Sequence, residues 1–243
     1  QLTGNKVIEK PTGKASEAAV SATYKDEIKK QIRLRKKLKV VVDCGNGVAG
    51  DFAPDLLRDI GAEVEELYCE VDGSFPNHHP DPAEPKNLQE LIERVRSERA
   101  DVGLAFDGDG DRLGVISNTG EVIWPDKLLM LFTKHVLQRH PGATIISDVK
   151  CSMDLSQVVK QNQGDYLMWR TGHSHIKSKM VETGALLGGE FSGHICFRDK
   201  WYGYDDALYS AARFLEILAK SDKSAHELFS EFPTRYCTPE IKI

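Results

Sequence analysis

The stretch Leu38-Lys39-Val40-Val41-Val42-Asp43-Cys44-Gly45-Asn46-Gly47-Val48-Ala49-Gly50, continued by residues 51–60, decides the fold. An apolar run of strand length enters a glycine turn. Phe52, Leu56, Leu57 and Ile60 then recur at helical spacing until Gly61 stops the helix. Strand, tight turn and helix in that order form the repeating unit of an α/β sheet. Working outward, a helix is expected over 22–37 on Tyr24, Ile28, Ile32 and Leu38, and a strand over Glu63–Glu70. A helix over 86–99 and a short buried strand over 101–106 follow. The unit ends near residue 118. The rhythm restarts with a strand at Val122-Ile123-Trp124 and a helix capped by Asp126 and carrying Leu128, Leu129, Leu131, Phe132, Val136 and Leu137. Strands at Ala143–Asp148, Asp165–Trp169, Ala185–Gly188 and His194–Phe197 alternate with helices over 152–162, 174–183 and 205–220. The reading is α/β, with one domain over 39–118 and a second over 119–222. Residues 1–38 are expected to be the tail of a preceding domain and a connecting helix, and 223–243 a linker and the start of a further domain. Residues 1–20 are loop-like, Gln1 is not a natural start, and Thr238–Ile243 looks like a strand just beginning. The chain is therefore expected to be a piece of a larger protein.

Composition narrows the function classes. Of 243 residues, 40% are hydrophobic and 28% charged, an ordinary globular balance. The formal net charge is −5, and no polybasic stripe with interleaved aromatics occurs, so nucleic acid is not an expected partner. Lys29, Lys30, Arg33, Arg35, Lys36, Lys37 and Lys39 read as the solvated face of the first helix. No apolar run reaches the roughly 20 residues that span a bilayer, and no signal peptide is visible, so no membrane partner is expected. Cys44, Cys69, Cys151, Cys196 and Cys237 are scattered without CxxC spacing. They read as reduced thiols of a cytoplasmic protein.

The run Asp107-Gly108-Asp109-Gly110-Asp111-Arg112 follows the strand at 101–106 and carries the strongest chemistry. Three carboxylates at alternate positions repel one another unless a cation joins them, and hard divalent ions such as Mg²⁺ take oxygen ligands of this kind. An EF-hand is excluded, because its glycine and glutamate positions, counted from Asp107, hold Arg112 and Asn118. A haloacid-dehalogenase-type phosphatase is an alternative, with Asp107 as nucleophile, Asp109 as acid/base, and Lys150 and Asp205-Asp206 completing the set. That loop normally has Thr or Val where Gly110 stands, and helix capping is the simpler account of Asp205-Asp206.

Three further segments are candidates. Gly188-Gly189-Glu190-Phe191-Ser192-Gly193-His194 reads as a turn between strands that exposes a carboxylate, a hydroxyl and an imidazole, suited to sugar hydroxyls and to proton transfer. Thr171-Gly172-His173-Ser174 opens a helix whose free N–H groups favour phosphate, with His173 and Lys177 close by, and Lys150 holds an equivalent place after its strand. The turn Gly45–Gly50 matches G-x-G-x-x-G with Glu70 about 20 residues on. It is read as a tight strand-to-helix turn rather than a dinucleotide site. Phe75–Pro82, with adjacent His78 and His79, is read as a rigid connecting loop rather than a metal site.

Taken in order, Asp43–Gly50, Asp107–Arg112, Thr171–His175 and Gly189–His194 resemble the α-D-phosphohexomutases. Phe75–Pro82, Asp148–Cys151 and Trp201–Asp206 resemble the bacterial phosphomannomutase/phosphoglucomutase subgroup. The resemblance covers nearly all of 20–243. It implies a phosphoglucomutase-like fold of two consecutive three-layer α/β/α domains with mixed sheets, the second and third of four. It also implies interconversion of hexose 1-phosphate and 6-phosphate through a phosphoserine and a bisphosphorylated sugar. By resemblance Asp107, Asp109 and Asp111 hold Mg²⁺ and Arg112 lies beside the transferring phosphate. Glu190 and Ser192 grip sugar hydroxyls, His194 is the general acid/base candidate, and Lys150 and His173 contact the sugar or its distal phosphate. The cofactors implied are Mg²⁺ and glucose 1,6-bisphosphate or mannose 1,6-bisphosphate; the partners are a phosphosugar substrate and domains 1 and 4 of the same polypeptide. The family's phosphoserine loop and C-terminal phosphate-clamping loop have no counterpart here, so the chain alone is expected to be inactive; a non-catalytic sugar-phosphate or metal-binding module is the alternative from a different class. The pattern departs at Ser152-Met153-Asp154 and at His175, near the implied sugar site.

Overall fold

A computed structural model describes residues 13–234 of the chain. The expected strand at 238–243 lies outside the described residues. Residues 13–20 run without regular structure, and α1 (Ser21–Gln31) leads to β1 (Lys39–Asp43). A 3₁₀ turn (Val48–Asp51) opens α2 (Ala53–Ile60), then come β2 (Glu63–Leu67), α3 (Gln89–Ser97), β3 (Val102–Phe106), β4 (Leu113–Ser117) and β5 (Val122–Ile123). The second half supplies α4 (Pro125–Arg139), β6 (Thr144–Asp148), α5 (Asp154–Gln161), β7 (Asp165–Trp169), α6 (His173–Thr183), β8 (Leu187–Gly189), β9 (Ile195–Phe197), α7 (Ala207–Lys220) and α8 (Ala225–Phe229). Five strands form one sheet in the order β2-β1-β3-β4-β5, and four form another in the order β7-β6-β8-β9. Both sheets are mixed: β1 lies parallel to β2 and β3, and β6 to β7 and β8, while β4, β5 and β9 join antiparallel.

Side chains alternate between the two faces of each sheet, as the pleat requires. In the first, Val40, Val42, Val102, Leu104 and Phe106 enter the largest apolar cluster, whereas Val41 and Ala105 join Leu91 and Val95 of α3 on the other face. In the second, Ile145, Ile195 and Phe197 enter that same large cluster, and Ile146 and Cys196 meet Ile176 and Met180 of α6. The two sheets therefore share one core, filled between them by α2, α4 and α7. Each sheet keeps a helical layer on its outer face.

The glycine turn is a packing device. Gly45 has φ +49° and Asn46 φ +62°. A Cβ on Gly47 would lie 2.9 Å from Gly108 Cα, and one on Gly50 only 2.0 Å from the carbonyl oxygen of Cys69. The side-chain-free positions let the neighbouring backbones approach, which supports the plain reading of Gly45–Gly50. The Phe75–Pro82 loop packs over this turn: His78 Nε2 meets the Asp43 carboxylate at 3.1 Å, and Pro80 lies against Gly45 and Gly108. Cys44 and Cys69 bring their buried thiols within 3.5 Å, and the four described cysteines are free.

Several expectations need correction. The first helix stops at Gln31, because Ile32 is extended (φ −124°, ψ 123°), and Leu34 N–H then bonds the Ile60 carbonyl at 2.9 Å. The basic residues are accordingly no single helical face: Lys29 pairs with Asp59, Lys37 with Glu63 and Lys39 with Glu98. A strand not placed from sequence, β4, continues the acidic loop, and β5, expected to begin the second unit, is hydrogen-bonded to β4 in the first sheet. Asp126 is no cap: it sits inside the first turn of α4, one oxygen taking Lys127 N–H at 2.8 Å and the other Ser152 N–H at 3.1 Å. Residues 223–234 are no free linker. Ser224 and Glu227 form a capping box for α8, an S-x-x-E signal legible in the sequence, and Leu228, Phe229 and Phe232 are buried in the shared core. Among the described residues no helix is long and apolar enough to cross a membrane.

His135, on α4, makes the fold sensitive to acid. Burial, together with Arg139, Arg213, Lys134 and Lys220, pushes its pKa down to about 4. The unfolded chain takes a proton there as pH falls through about 6.5, the folded chain only near 4, so stability declines across that window. We expect His135→Gln to remove roughly 2 kcal/mol of the loss, half-burial having been allowed for. Urea denaturation of both chains at pH 7 and 4.5 measures it; equal losses would contradict the assignment.

Candidate active site

The strands β3 and β4 deliver the acidic loop 107–112 from a rigid edge, and the loop folds around Asp107. That carboxylate is 1% exposed. Its Oδ1 accepts the N–H groups of Asp111 and Arg112, each at 3.0 Å, and its Oδ2 receives Arg112 Nε at 2.6 Å. Gly110, at φ +77°, turns the chain so that Asp109 and Asp111 come back toward Asp107. One oxygen from each of the three carboxylates lies within 4.8 Å of the others. Three hard oxygen donors on a glycine-opened loop fit Mg²⁺. Arg112 is itself shared: its guanidinium also reaches Asp81 of the Phe75–Pro82 loop at 3.0 Å. Asp81 was not singled out from the sequence, where it reads as one more polar residue of a proline-rich loop.

The second sheet supplies the facing loop, 190–194, between β8 and β9. Sequence reading expects Glu190 to be exposed; it is 3% exposed. Its Oε1 accepts the Gly172 N–H, and Oε2 lies 3.2 Å from His194 Nδ1. A carboxylate has acceptor capacity beyond two donors, so burial leaves it able to take a sugar hydroxyl. Ser192 Oγ also bonds His194 Nδ1, at 2.8 Å. The other ring nitrogen, Nε2, lies 3.2 Å from Asp111 Oδ1. Burial opposes the charge of His194, but hydrogen bonds to Asp111 and Glu190 outweigh it and push the pKa up to about 9. Burial likewise opposes ionisation of Glu190, yet His194 and the Gly172 N–H hold its pKa below the usual value.

His173 is the first residue of α6, after Gly172 at φ +127°. Its ring stacks on that of His194, centroids 5.1 Å apart, and its Nδ1 lies 2.7 Å from Asp205 Oδ2. Lys177, one helical turn on, bonds Asp205 Oδ1 at 2.6 Å. Two aspartates whose roles here were not read from the sequence organise this side. Asp148, ending β6, accepts Thr171 Oγ1 and the Phe191 N–H, tying two loops to one strand end. Asp205 holds His173 and Lys177, whereas its neighbour Asp206 caps α7 through Tyr209 N–H and takes Tyr24 and Trp201. Pairs of adjacent acids before a helix look alike in sequence; only the fold separates their roles. Lys150 stands exposed on the turn after β6.

Backbone contacts join the loops of the two sheets. Arg112 and His194 form an antiparallel bridge, Leu113 N–H bonds the Gly193 carbonyl at 3.3 Å, and Ala207 N–H at the start of α7 bonds the Gly110 carbonyl at 3.3 Å. Asp107, Asp109, Asp111, Arg112, His173, Glu190, Ser192 and His194 thus converge. The dehalogenase arrangement is not favoured: Asp206, one of the acids it would need, is committed to capping α7.

Comparison with known proteins gives the same outline. Residues 22–120 match the family model described as phosphoglucomutase/phosphomannomutase, alpha/beta/alpha domain II, and 124–236 match domain III of the same family. A phosphomannomutase/phosphoglucomutase of Pseudomonas putida is 56% identical over 231 residues, 95% of this chain and 50% of that protein. A crystal structure of a phosphoglucomutase/phosphomannomutase family protein from Burkholderia thailandensis superposes with a TM-score of 0.88 at 51% identity, covering 90% of this chain and 48% of that one. At 14% identity, and so for the fold alone, an N-acetylphosphoglucosamine mutase of Aspergillus fumigatus, solved with GlcNAc-6P and magnesium, superposes with a TM-score of 0.63 over 87% of this chain and 52% of that chain. The chain spans about half the length of the curated relatives it matches.

Proposed function

The chain belongs to the phosphoglucomutase/phosphomannomutase family, and from that premise we propose that it is the central part of a phosphohexomutase, an intramolecular phosphotransferase acting on hexose 1-phosphate and 6-phosphate. The observation that carries the reading is the Asp111–His194 contact, with the backbone bridge beneath it, which sets the three-carboxylate loop against the sugar-type loop. In this reading Asp107, Asp109 and Asp111 hold Mg²⁺, which supplies charge neutralisation of a transferring phosphoryl group when bound. Arg112, oriented by Asp107 and Asp81, presents its remaining guanidinium donors toward the same phosphate. Glu190 and Ser192 accept and donate to vicinal sugar hydroxyls, and His194, whose Nδ1 they hold, carries a proton to or from the reacting hydroxyl through Nε2. His173 and Lys150 contact the sugar or its distal phosphate. A bisphosphorylated hexose serves as intermediate, and the phosphoserine and phosphate clamp of such mutases belong to the first and fourth domains, whereas this chain matches domains II and III. A cytoplasmic setting goes with this reading.

The test is an assay with glucose 1-phosphate, a catalytic amount of glucose 1,6-bisphosphate and Mg²⁺. The full-length parent is expected to yield glucose 6-phosphate, and the 243-residue chain to bind sugar phosphate without turnover. Release of inorganic phosphate by the parent, with no isomer formed, would instead establish a phosphatase.

A further inference from the structure

We infer that Asp111 Oδ1, His194 Nε2 and Asp205 Oδ2 form a second divalent-cation site, of the imidazole-accepting transition-metal class, sharing Asp111 with the acidic loop. One ligand atom from each of the three residues lies within 4.8 Å of the others. Small side-chain rotations close that to the roughly 3.3 Å separation set by metal–ligand distances of about 2.0–2.2 Å. The donors come from three separate elements: the acidic loop, the 190–194 loop and the residue before the α7 cap. Sequence spacing therefore gives no hint of the set.

Two independent features point to a ligand there. Asp205 has a side chain only 7% exposed, yet its Oδ2 has no hydrogen-bond partner. Lys177 satisfies the other oxygen, and His173 Nδ1 approaches Oδ2 at 2.7 Å without the alignment of a hydrogen bond. A cation beside this oxygen would compensate a buried carboxylate that His173 approaches but does not hydrogen-bond. The second feature is His194. Glu190 and Ser192 lie on Nδ1, while Nε2 lies 3.2 Å from Asp111 Oδ1, so an ion would bind Nε2 in place of its proton. A carboxylate behind a histidine is the usual outer support of a metal-binding imidazole.

Ligand chemistry selects the ion. Two carboxylates and one imidazole suit Zn²⁺, Co²⁺ or Ni²⁺, whereas Mg²⁺ prefers the all-oxygen loop. His173, stacked on His194 and beside Asp205 Oδ2, is the nearest further nitrogen donor. An ion held here occupies the ring nitrogen that the proposed reaction uses and draws Asp111 away from the first site, so the site is inhibitory in character.

The probe is Co²⁺, titrated into the 243-residue chain and followed by visible absorption, with no activity readout required. A tetrahedral-type d–d spectrum is expected. Asp205→Asn should weaken binding at least about a hundredfold, more than loss of an outer partner does, while Asp109→Asn should retain the spectrum. Only the weak absorption of octahedral Co²⁺, an Asp205→Asn chain that binds normally, or loss of the spectrum in a folded Asp109→Asn chain would each overturn the assignment. Histidine ¹H–¹⁵N spectra of the unaltered chain provide a reading free of variants. Zn²⁺ should shift His194 Nε2, and an unmoved resonance would also overturn it.

Discussion

An Asp199→Ala chain is expected to lose roughly 3–5 kcal/mol of unfolding free energy, the cost of stranding a buried cation. Arg213, on α7, is 3% exposed, and Asp199 is its counter-charge: the guanidinium takes Oδ1 at 3.0 Å, Oδ2 at 3.2 Å and the Asp199 carbonyl at 3.2 Å. Tyr209 Oη accepts from the same group at 3.0 Å, the Phe197 ring lies 4.6 Å beneath, and Arg139 adds a second cation to the carboxylate. Burial works against the charge on Arg213, but Asp199 and Tyr209 hold its pKa above the usual value, so removing Asp199 leaves it charged and uncompensated. Urea denaturation at pH 7 measures the loss. Lys220→Ala, which removes an exposed pair with Glu216, should cost under about 0.5 kcal/mol. The double change Asp199→Leu with Arg213→Met should recover much of the stability. A loss below about 1 kcal/mol for Asp199→Ala would mean that water reaches Arg213.

In the full-length parent, Glu190→Gln is expected to lower kcat/KM by about 10²–10⁴-fold, the range of a lost acid–base contribution. The amide can still accept the Gly172 N–H, but it cannot hold the imidazole as a carboxylate does. The loss should therefore fall on kcat, with Mg²⁺ binding by the acidic loop unchanged. A raised KM with kcat intact would make Glu190 a uniform sugar-binding group instead. Measuring both constants against glucose 1-phosphate decides between them.

Much of this was legible because strong local signals coincide with the fold. Val40–Val42, the glycine turn and the Phe52–Ile60 periodicity specify strand, turn and helix within a few residues of one another, and Gly61 does adopt the left-handed conformation that ends α2. The three aspartates of the acidic loop are legible for the same reason, since their spacing is local. What sequence could not supply is long-range. That β5 joins the first sheet, that one core serves both sheets, and that α8 docks on α4 are matters of packing between distant segments. The roles of Asp81, Asp148 and Asp205 escaped because an aspartate near a turn or helix start has a plain local explanation. Glu190 seemed exposed because a polar turn normally is; here the Gly172 N–H and His194 compensate its burial.

The bridge between Arg112 and His194, with the Leu113–Gly193 and Ala207–Gly110 bonds beside it, has a kinematic consequence. Sliding or hinging of one loop against the other has to break these backbone bonds, so they resist a change in the span from the carboxylate triad to His194, like the jaws of a gauge. On the proposed function, a hexose that offers first one phosphorylated end and then the other would meet the same paired loops each time, and the turning would fall to the sugar itself. On the same reading, divergence in sugar preference is then expected in side chains around the paired loops, Ser152–Asp154 and His175 among them, rather than in the separation of the loops.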